Sequence, residues 1–372
     1  MCEDDGATNH ELRTAPIRAS PYFPYRGLPK PRHRDPRERG TVRSVRVIVR
    51  QRSPRAAGGK MAITRQAPPD WVFDVGSRIP LTAPIVVGTD GHQDANGAIR
   101  ITRLLSERRH ARVHVVAALD APSAPLRTLE RLPQEADVER RAALRHRIDH
   151  QLRALAIPPG AWPVEIATGR PDGVLADAVV RDEAGLVVVG VGSHGLLARV
   201  SGTATALGIA RIGGVPVLAV DRHTLALPRN ALIGMDFSTA SVAAARGALD
   251  CLGERGTLHL AYVQPITFVP GAHSADAAYD QELADRFAAV VSALGPEPTV
   301  QIAQHVLAGD AARQLLLLAD QVKADLIAVG AHGHGRLNAF MIGTTASRIL
   351  ATSKGAVLMT TGHGAVATAS AD

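Results

Sequence analysis

Residues Leu326–Leu350 read LIAVGAHGHGRLNAFMIGTTASRIL. The apolar run that ends at Gly330 predicts a buried strand. The chain then turns through Gly333 and Gly335, and Gly343, Thr344 and Thr345 are expected to open a helix. Glycine lets a backbone approach a bulky ligand without a Cβ clash. The first N–H groups of a helix have no partner within it, and together with the helix dipole they attract an anion. Threonine hydroxyls at that start can cap the helix or donate to phosphate oxygens. The stretch therefore predicts an anion cradle built mainly from backbone.

Working outward, the surroundings of this stretch occur twice. Pro84–Val220 and Asn230–Thr361 run through the same order of features. Each opens with an apolar strand closing on an aspartate, PIVVGTD at Asp90 and ALIGMD at Asp236. An amphipathic helical stretch, a β-type run, a charged helix and a third strand follow. Another helix then leads to LVVVG or LIAVG, a glycine-rich loop, a helix and a last strand. Matched pairs stand 146 residues apart at Asp90/Asp236, 140 at Gly169/Gly309, 138 at Gly195/Gly333 and 141 at Gly214/Gly355. That slow drift is what a duplication with small loop changes leaves. Short Val/Ile/Leu strands alternating with helices predict parallel sheets covered on both faces. The expected architecture is α/β: two tandem doubly wound five-stranded parallel-sheet domains, over 81–221 and 230–362, after a basic, disordered extension over 1–80. Asp221–Asn230 (DRHTLALPRN) serves as the linker.

Composition narrows the function classes. The 372 residues carry 42 Lys+Arg and 35 Asp+Glu. Residues 1–60 hold 14 of those basic and 6 of those acidic residues, which leaves 28 against 29 over the remaining 312. The basicity thus belongs to the arm, and the repeats are neutral. An arm of this kind can touch nucleic acid through phosphates, although it lacks an aromatic stacking platform. No apolar run reaches the roughly 20 residues that span a bilayer, so no membrane association is expected. Cys2 and Cys251 are too few for a disulfide framework, which fits a reducing, cytoplasmic setting.

Several patterns are weaker than they look. Gly190, Gly192 and Gly195 make a literal G-x-G-x-x-G, but it follows the fourth strand of its half, whereas the dinucleotide fingerprint follows the first. No Walker A loop is present. His194, His332 and His334 lack a third clustered ligand and read as loop residues. His114 and His259 alternate with apolar residues and read as packing histidines. Asp90 and Asp236 suit either a hydrogen-bonded turn or a bound Mg²⁺. No nucleophile elbow or acid/base pair emerges, so no catalytic residue is assigned.

The spacing Gly330-x2-Gly333-x9-Gly343-Thr344 after an apolar strand, with Asp236 closing the first strand of its half, resembles the universal stress protein family. The tandem arrangement is similar to the family's two-domain bacterial members. The resemblance implies a strand order of 3-2-1-4-5 and ATP binding where that order reverses. It places Asp236 and Val263 near adenine and ribose, and Gly330, Gly333, Gly343, Thr344 and Thr345 around the phosphates. Asp90, Gly192, Gly195, Gly202 and Thr203 are the first-half counterparts. Between Gly195 and Gly202 there are only six residues where the family has nine, so a tighter cradle is expected there. Val215–Val220 and Ala356–Thr360 resemble the edges through which such domains dimerise, and within one chain they can pair with each other; a homodimer is the other use of such edges. The implied function is an ATP-binding stress-response regulator without efficient turnover. The alternatives are a slow ATP hydrolase and a nucleotide-independent scaffold with a nucleic-acid-binding arm.

Overall fold

In the computed structural model the described residues are 80–119, 134–192, 196–212, 214–253, 255–264, 277–295, 299–331 and 343–361. All of them belong to one compact unit, Val47–Asp372. The basic arm lies outside the described residues.

The continuous aliphatic runs form strands because both of their faces are covered. In the first half these are β1 (Ile85–Gly88), β2 (Val113–Leu119), β3 (Val164–Thr168), β4 (Leu186–Val191) and β5 (Val217–Asp221). They alternate with α1 (Asn96–Arg109), α2 (Gln134–Ala154), α3 (Pro171–Asp182) and α4 (Leu196–Ile212). The second half repeats the scheme. Its strands are β6 (Asn230–Met235), β7 (Gly256–Gln264), β8 (Val300–Ala308), β9 (Leu326–Gly330) and β10 (Ala356–Thr360). Its helices are α5 (Thr239–Cys251), α6 (Ala277–Leu294), α7 (Ala311–Val322) and α8 (Thr344–Thr352).

The ten strands form one sheet in the order β3-β2-β1-β4-β5-β10-β9-β6-β7-β8. Each half has the order 3-2-1-4-5, and all pairings within a half are parallel. The halves meet through β5 and β10, which pair antiparallel with Leu358 opposite Leu218. Side chains alternate between faces along each strand. Leu218, Val220 and Leu358 join the core under α1, α2, α5 and α6. Val217, Ala219, Val357 and Met359 join the core under α3, α4, α7 and α8. Both cores cross the seam without interruption, so the fusion gives each half a covered edge that it would otherwise expose.

The linker is fastened rather than loose. A Cβ on Gly97 of α1 would lie 1.9 Å from the Asp221 carbonyl oxygen, so only glycine lets this helix pass the end of β5. Arg100 donates to the Arg222 carbonyl at 3.0 Å, and Arg222 pairs with Asp94 at 3.6 Å. From the first half, Arg108 and Arg109 donate to the carbonyls of Asp250 and Leu252 at the end of α5. These arginines satisfy carbonyls that a helix C-terminus leaves unpaired, and they oppose its dipole with positive charge.

Candidate functional site

In an open α/β sheet, ligands bind beyond the carboxyl ends of the strands, where the strand order reverses. Here those points fall between β1 and β4 and between β6 and β9. Because β5 and β10 run antiparallel, the two reversal points open at opposite ends of the sheet. The seam separates them, so each half presents its own site.

In the first half this point is a cleft of about 330 Å³. Val116, Ala118 and Leu175 form apolar walls, and Thr89, Asp90 and Asp94 bring polar groups to it. Gly192 and Gly202 also line it, so three of the expected site residues, Asp90, Gly192 and Gly202, meet there. Asp90 lies two residues beyond the end of β1 rather than closing it. Its Oδ1 accepts the His92 N–H at 2.9 Å, a tight turn that aims the chain toward α1. Thr89 is buried and donates to Gln151 Oε1 at 2.7 Å, while Gln151 Nε2 donates to the His92 carbonyl and to Asn96 Oδ1. Sequence reading missed this network. Its signal was a polar Gln151 on the buried stripe of Leu144, Ile148 and Leu152, a position that demands a partner.

The helix that follows differs from the expected cradle. α4 begins at Leu196, so Gly202 and Thr203 are interior residues whose N–H groups belong to the helix ladder. A Cβ on Gly202 would lie 2.8 Å from the Gly190 carbonyl oxygen, and one on Gly190 would lie 2.5 Å from that of Asp94. Close packing of α4 on β4, and of β4 on the turn before α1, therefore accounts for both glycines. Gly195 falls outside the described residues.

In the second half Asp236 follows the last residue of β6, and its Oδ1 accepts the Ser238 N–H at 3.0 Å and the Ser238 hydroxyl at 2.5 Å. Ser238 in turn caps α5 by accepting the Ser241 N–H. Phe237 takes a positive φ of 59°, uncommon for a bulky residue. Its buried ring packs against Tyr262 and Phe287, with centroids 5.2 Å away in both cases. Burial first, then a hydrogen bond with Tyr279, pushes the Tyr262 hydroxyl above its usual range. Val263 sits next along β7, partly buried among the residues under α7.

β9 ends at Gly330, where a Cβ would lie 2.9 Å from that of Ala240 at the start of α5. Gly333 falls outside the described residues. Where the chain is again described, the Gly343 N–H donates to the Ala331 carbonyl at 2.8 Å, tying the start of α8 to the end of β9. Gly343 is the N-cap of α8 and supplies no side-chain cap, so Thr344 and Thr345 open the helix with their amides uncapped by it. Gly330 and the Asp236 turn both contact the first turn of α5, and Gly343 is bound one residue beyond Gly330. The structure thus gathers Asp236, Gly330, Gly343 and Thr344 at one end of the β6/β9 pair.

The strand histidines carry more than packing. His114 touches Asp182 and lies 3.6 Å from Glu165, and Arg181 pairs with both carboxylates. Burial disfavours charge on Asp182, but hydrogen bonds from Arg181 and His114 outweigh it and hold the carboxyl below its usual range. His259, at the matching place on β7, faces His305 instead, with the two nitrogens 3.0 Å apart. Burial and then the second ring push His259 down to about 4. Among the described residues, no group of three or more His, Cys, Asp or Glu could hold a metal. No described helix is long and apolar enough to cross a membrane.

Two doubly wound halves of the same strand order, each with an aspartate turn at its reversal point, define a tandem α/β protein. The universal stress protein family model matches residues 82–221 and 228–361, and the chain belongs to that family. A solved structure agrees on the fold. A universal stress protein from Archaeoglobus fulgidus is similar at 16% identity and a TM-score of 0.54, over 76% of this chain and 99% of its own. One from Pseudomonas aeruginosa matches at 16% identity and a TM-score of 0.49, over 75% and 93%. A universal stress protein solved in complex with cAMP matches at 22% identity and a TM-score of 0.28, over 37% of this chain and all of that one. No curated protein matches the chain.

Proposed function

We propose that this chain is an ATP-binding regulator of the stress response, with the triphosphate held by the second half and without efficient turnover. The observation that carries the reading is the start of α8. Among the described residues a Cβ on Gly343 would meet nothing closer than the Ala331 carbonyl oxygen at 3.6 Å, and its φ of −61° suits any residue. Among the described residues neither packing nor backbone strain asks for glycine there. Close approach of a bulky ligand does, next to uncapped helix amides. In this reading the Thr344 and Thr345 N–H groups face phosphate oxygens, Val263 gives the base an apolar wall, and Asp236 accepts from ribose. Oδ1 of Asp236 is engaged in its turn, and the carboxylate retains acceptor capacity for sugar or for a phosphate-bound Mg²⁺.

A stable nucleotide complex lowers the free energy of the folded state by mass action, which gives such a protein a way to report ATP. No assigned residue supplies a base for the attacking water, so turnover is expected to be slow. Isothermal titration of the full chain with ATP tests the reading. It predicts saturable heat and a raised unfolding temperature. Neither effect at millimolar ATP would sink it.

A further inference from the structure

The two reversal points are not equivalent, and the contrast points to a second ligand. We propose that the first-half cleft takes a nucleoside that carries no phosphate, while the second half takes the triphosphate. This inference rests on the nucleotide-binding reading above and specifies it.

Size and charge set the first cleft apart. At about 330 Å³ it lies at the small end of the roughly 300–1,000 Å³ usual for small-molecule sites. Its described lining includes two carboxylates, Asp90 and Asp94, and no lysine, arginine or histidine. Arg222 offsets Asp94 from 3.6 Å away, but the Asp90 side chain pairs with no cation among the described contacts; the backbone N–H of His92 is its partner. Among the described residues, a phosphate chain placed here would face the Asp90 carboxylate without a compensating cation.

The Gly202 and Thr203 amides do not offset that repulsion, because they belong to the helix ladder. Gly202 packs on the end of β4 and lines the cleft from inside α4, which starts six residues earlier at Leu196. At 1.5 Å per residue that end of α4 stands about 9 Å from the packed glycine. In the second half, by contrast, the helix starts one residue after the glycine that is bound to the end of β9. What the first cleft does offer suits a nucleoside. Val116, Ala118 and Leu175 provide apolar surface for a base. The carboxylates accept hydrogen bonds from sugar hydroxyls, and the Thr89–Gln151–Asn96 network fixes the turn that presents Asp90.

The test titrates the full chain with ATP, with and without Mg²⁺, and then titrates the ATP-saturated chain with adenosine. One ATP per chain is expected, followed by one adenosine. Ala118→Phe, which fills the cleft from its wall, should abolish the adenosine heat and leave the ATP heat intact, with thermal unfolding checking that the variant is folded. Two ATP per chain under either metal condition would overturn the inference while keeping the nucleotide reading. The inference also fails if the ATP-saturated chain takes up no adenosine, or if Ala118→Phe leaves the adenosine heat unchanged. Absence of heat with both ligands would instead remove the nucleotide reading itself.

Discussion

The two halves share strand order, helix order and the aspartate turn, yet they solve one local problem in opposite ways. After the fourth strand the first half winds its helix early, from Leu196, so that Gly202-Thr203 becomes helix interior. The second half delays its helix until Thr344 and leaves amide donors beside the end of β9. At the turn after the first strand the first half uses Gly91, with a φ of 79°, above a polar network. The second half forces Phe237 to a φ of 59° and packs its ring in an aromatic cluster. One duplicated scaffold thus carries an acidic cleft in the first half and a helix start set beside the strand end in the second. The same glycine-threonine pair is a packing device in one half and a helix start in the other.

The sharpest way to break this comparison is one substitution made at both aligned threonines. Thr203→Pro removes a ladder hydrogen bond inside α4 and drives its ring into the preceding turn, which should cost about 3 kcal/mol or more. Thr344→Pro falls on the first helical position, where proline is favoured and its missing N–H breaks no helix bond. The preceding Gly343, at φ −61° and ψ 145°, already has the extended conformation a proline requires of its neighbour. Thr344→Pro should leave the urea midpoint nearly unchanged and weaken ATP about tenfold, near the 1.5 kcal/mol of one charge-assisted hydrogen bond. Equal destabilisation by the two variants would erase the distinction. Unchanged ATP affinity in Thr344→Pro would remove the Thr344 amide from the site.

Much of this was legible in the sequence, for physical reasons. Aliphatic runs such as LVVVG and LIAVG fix buried parallel strands because few other environments accept them. Repetition of the pattern fixes two domains of one kind, and the apolar last strands suggest the seam. The early start of α4 was not legible. Glycine weakens a helix by roughly 0.5–1 kcal/mol, so Gly202 reads as a boundary. Its tight approach to the Gly190 carbonyl, visible only in three dimensions, keeps it inside the helix. The pairing of His259 with His305 was hidden for a similar reason. The two are 46 residues apart and meet only because β7 and β8 pair with Ala261 opposite His305.

That histidine pair gives a second way to separate the halves. His259 titrates near 4 in the fold, against a usual value of about 6.5. The unfolded chain therefore binds a proton that the folded chain refuses. The stability this contributes is complete above pH 6.5 and is lost as the pH falls toward 4. For a half-buried ring screened by solvent, the loss should be about 1–2 kcal/mol. In the first half a charged His114 would meet Asp182 and Glu165 rather than a second imidazole. Hydrogen-exchange protection should therefore decline on acidification in β7 and β8 before β2 and β3, and His259→Leu should flatten the decline. Simultaneous loss in both regions would show that the pair does not set the acid response.

The smallest expected effect concerns how firmly the halves are joined. Arg108 reaches from α1 to the last carbonyls of α5, where it meets the negative end of that helix. Burial pushes its guanidinium below the usual range, which shows that the contact costs desolvation, although arginine remains charged. Arg109 donates to the Asp250 carbonyl as well, so one loss is partly covered by the other. Arg108→Ala should thus lower stability by only about 1 kcal/mol, in line with a charge at a helix C-terminus. The more informative measurement is cooperativity. With two cores continuous across the β5/β10 seam, urea should still unfold the variant in a single transition. Splitting into two transitions would mean that this arginine, rather than the shared sheet, couples the halves, and no loss of stability at all would mean that it caps nothing.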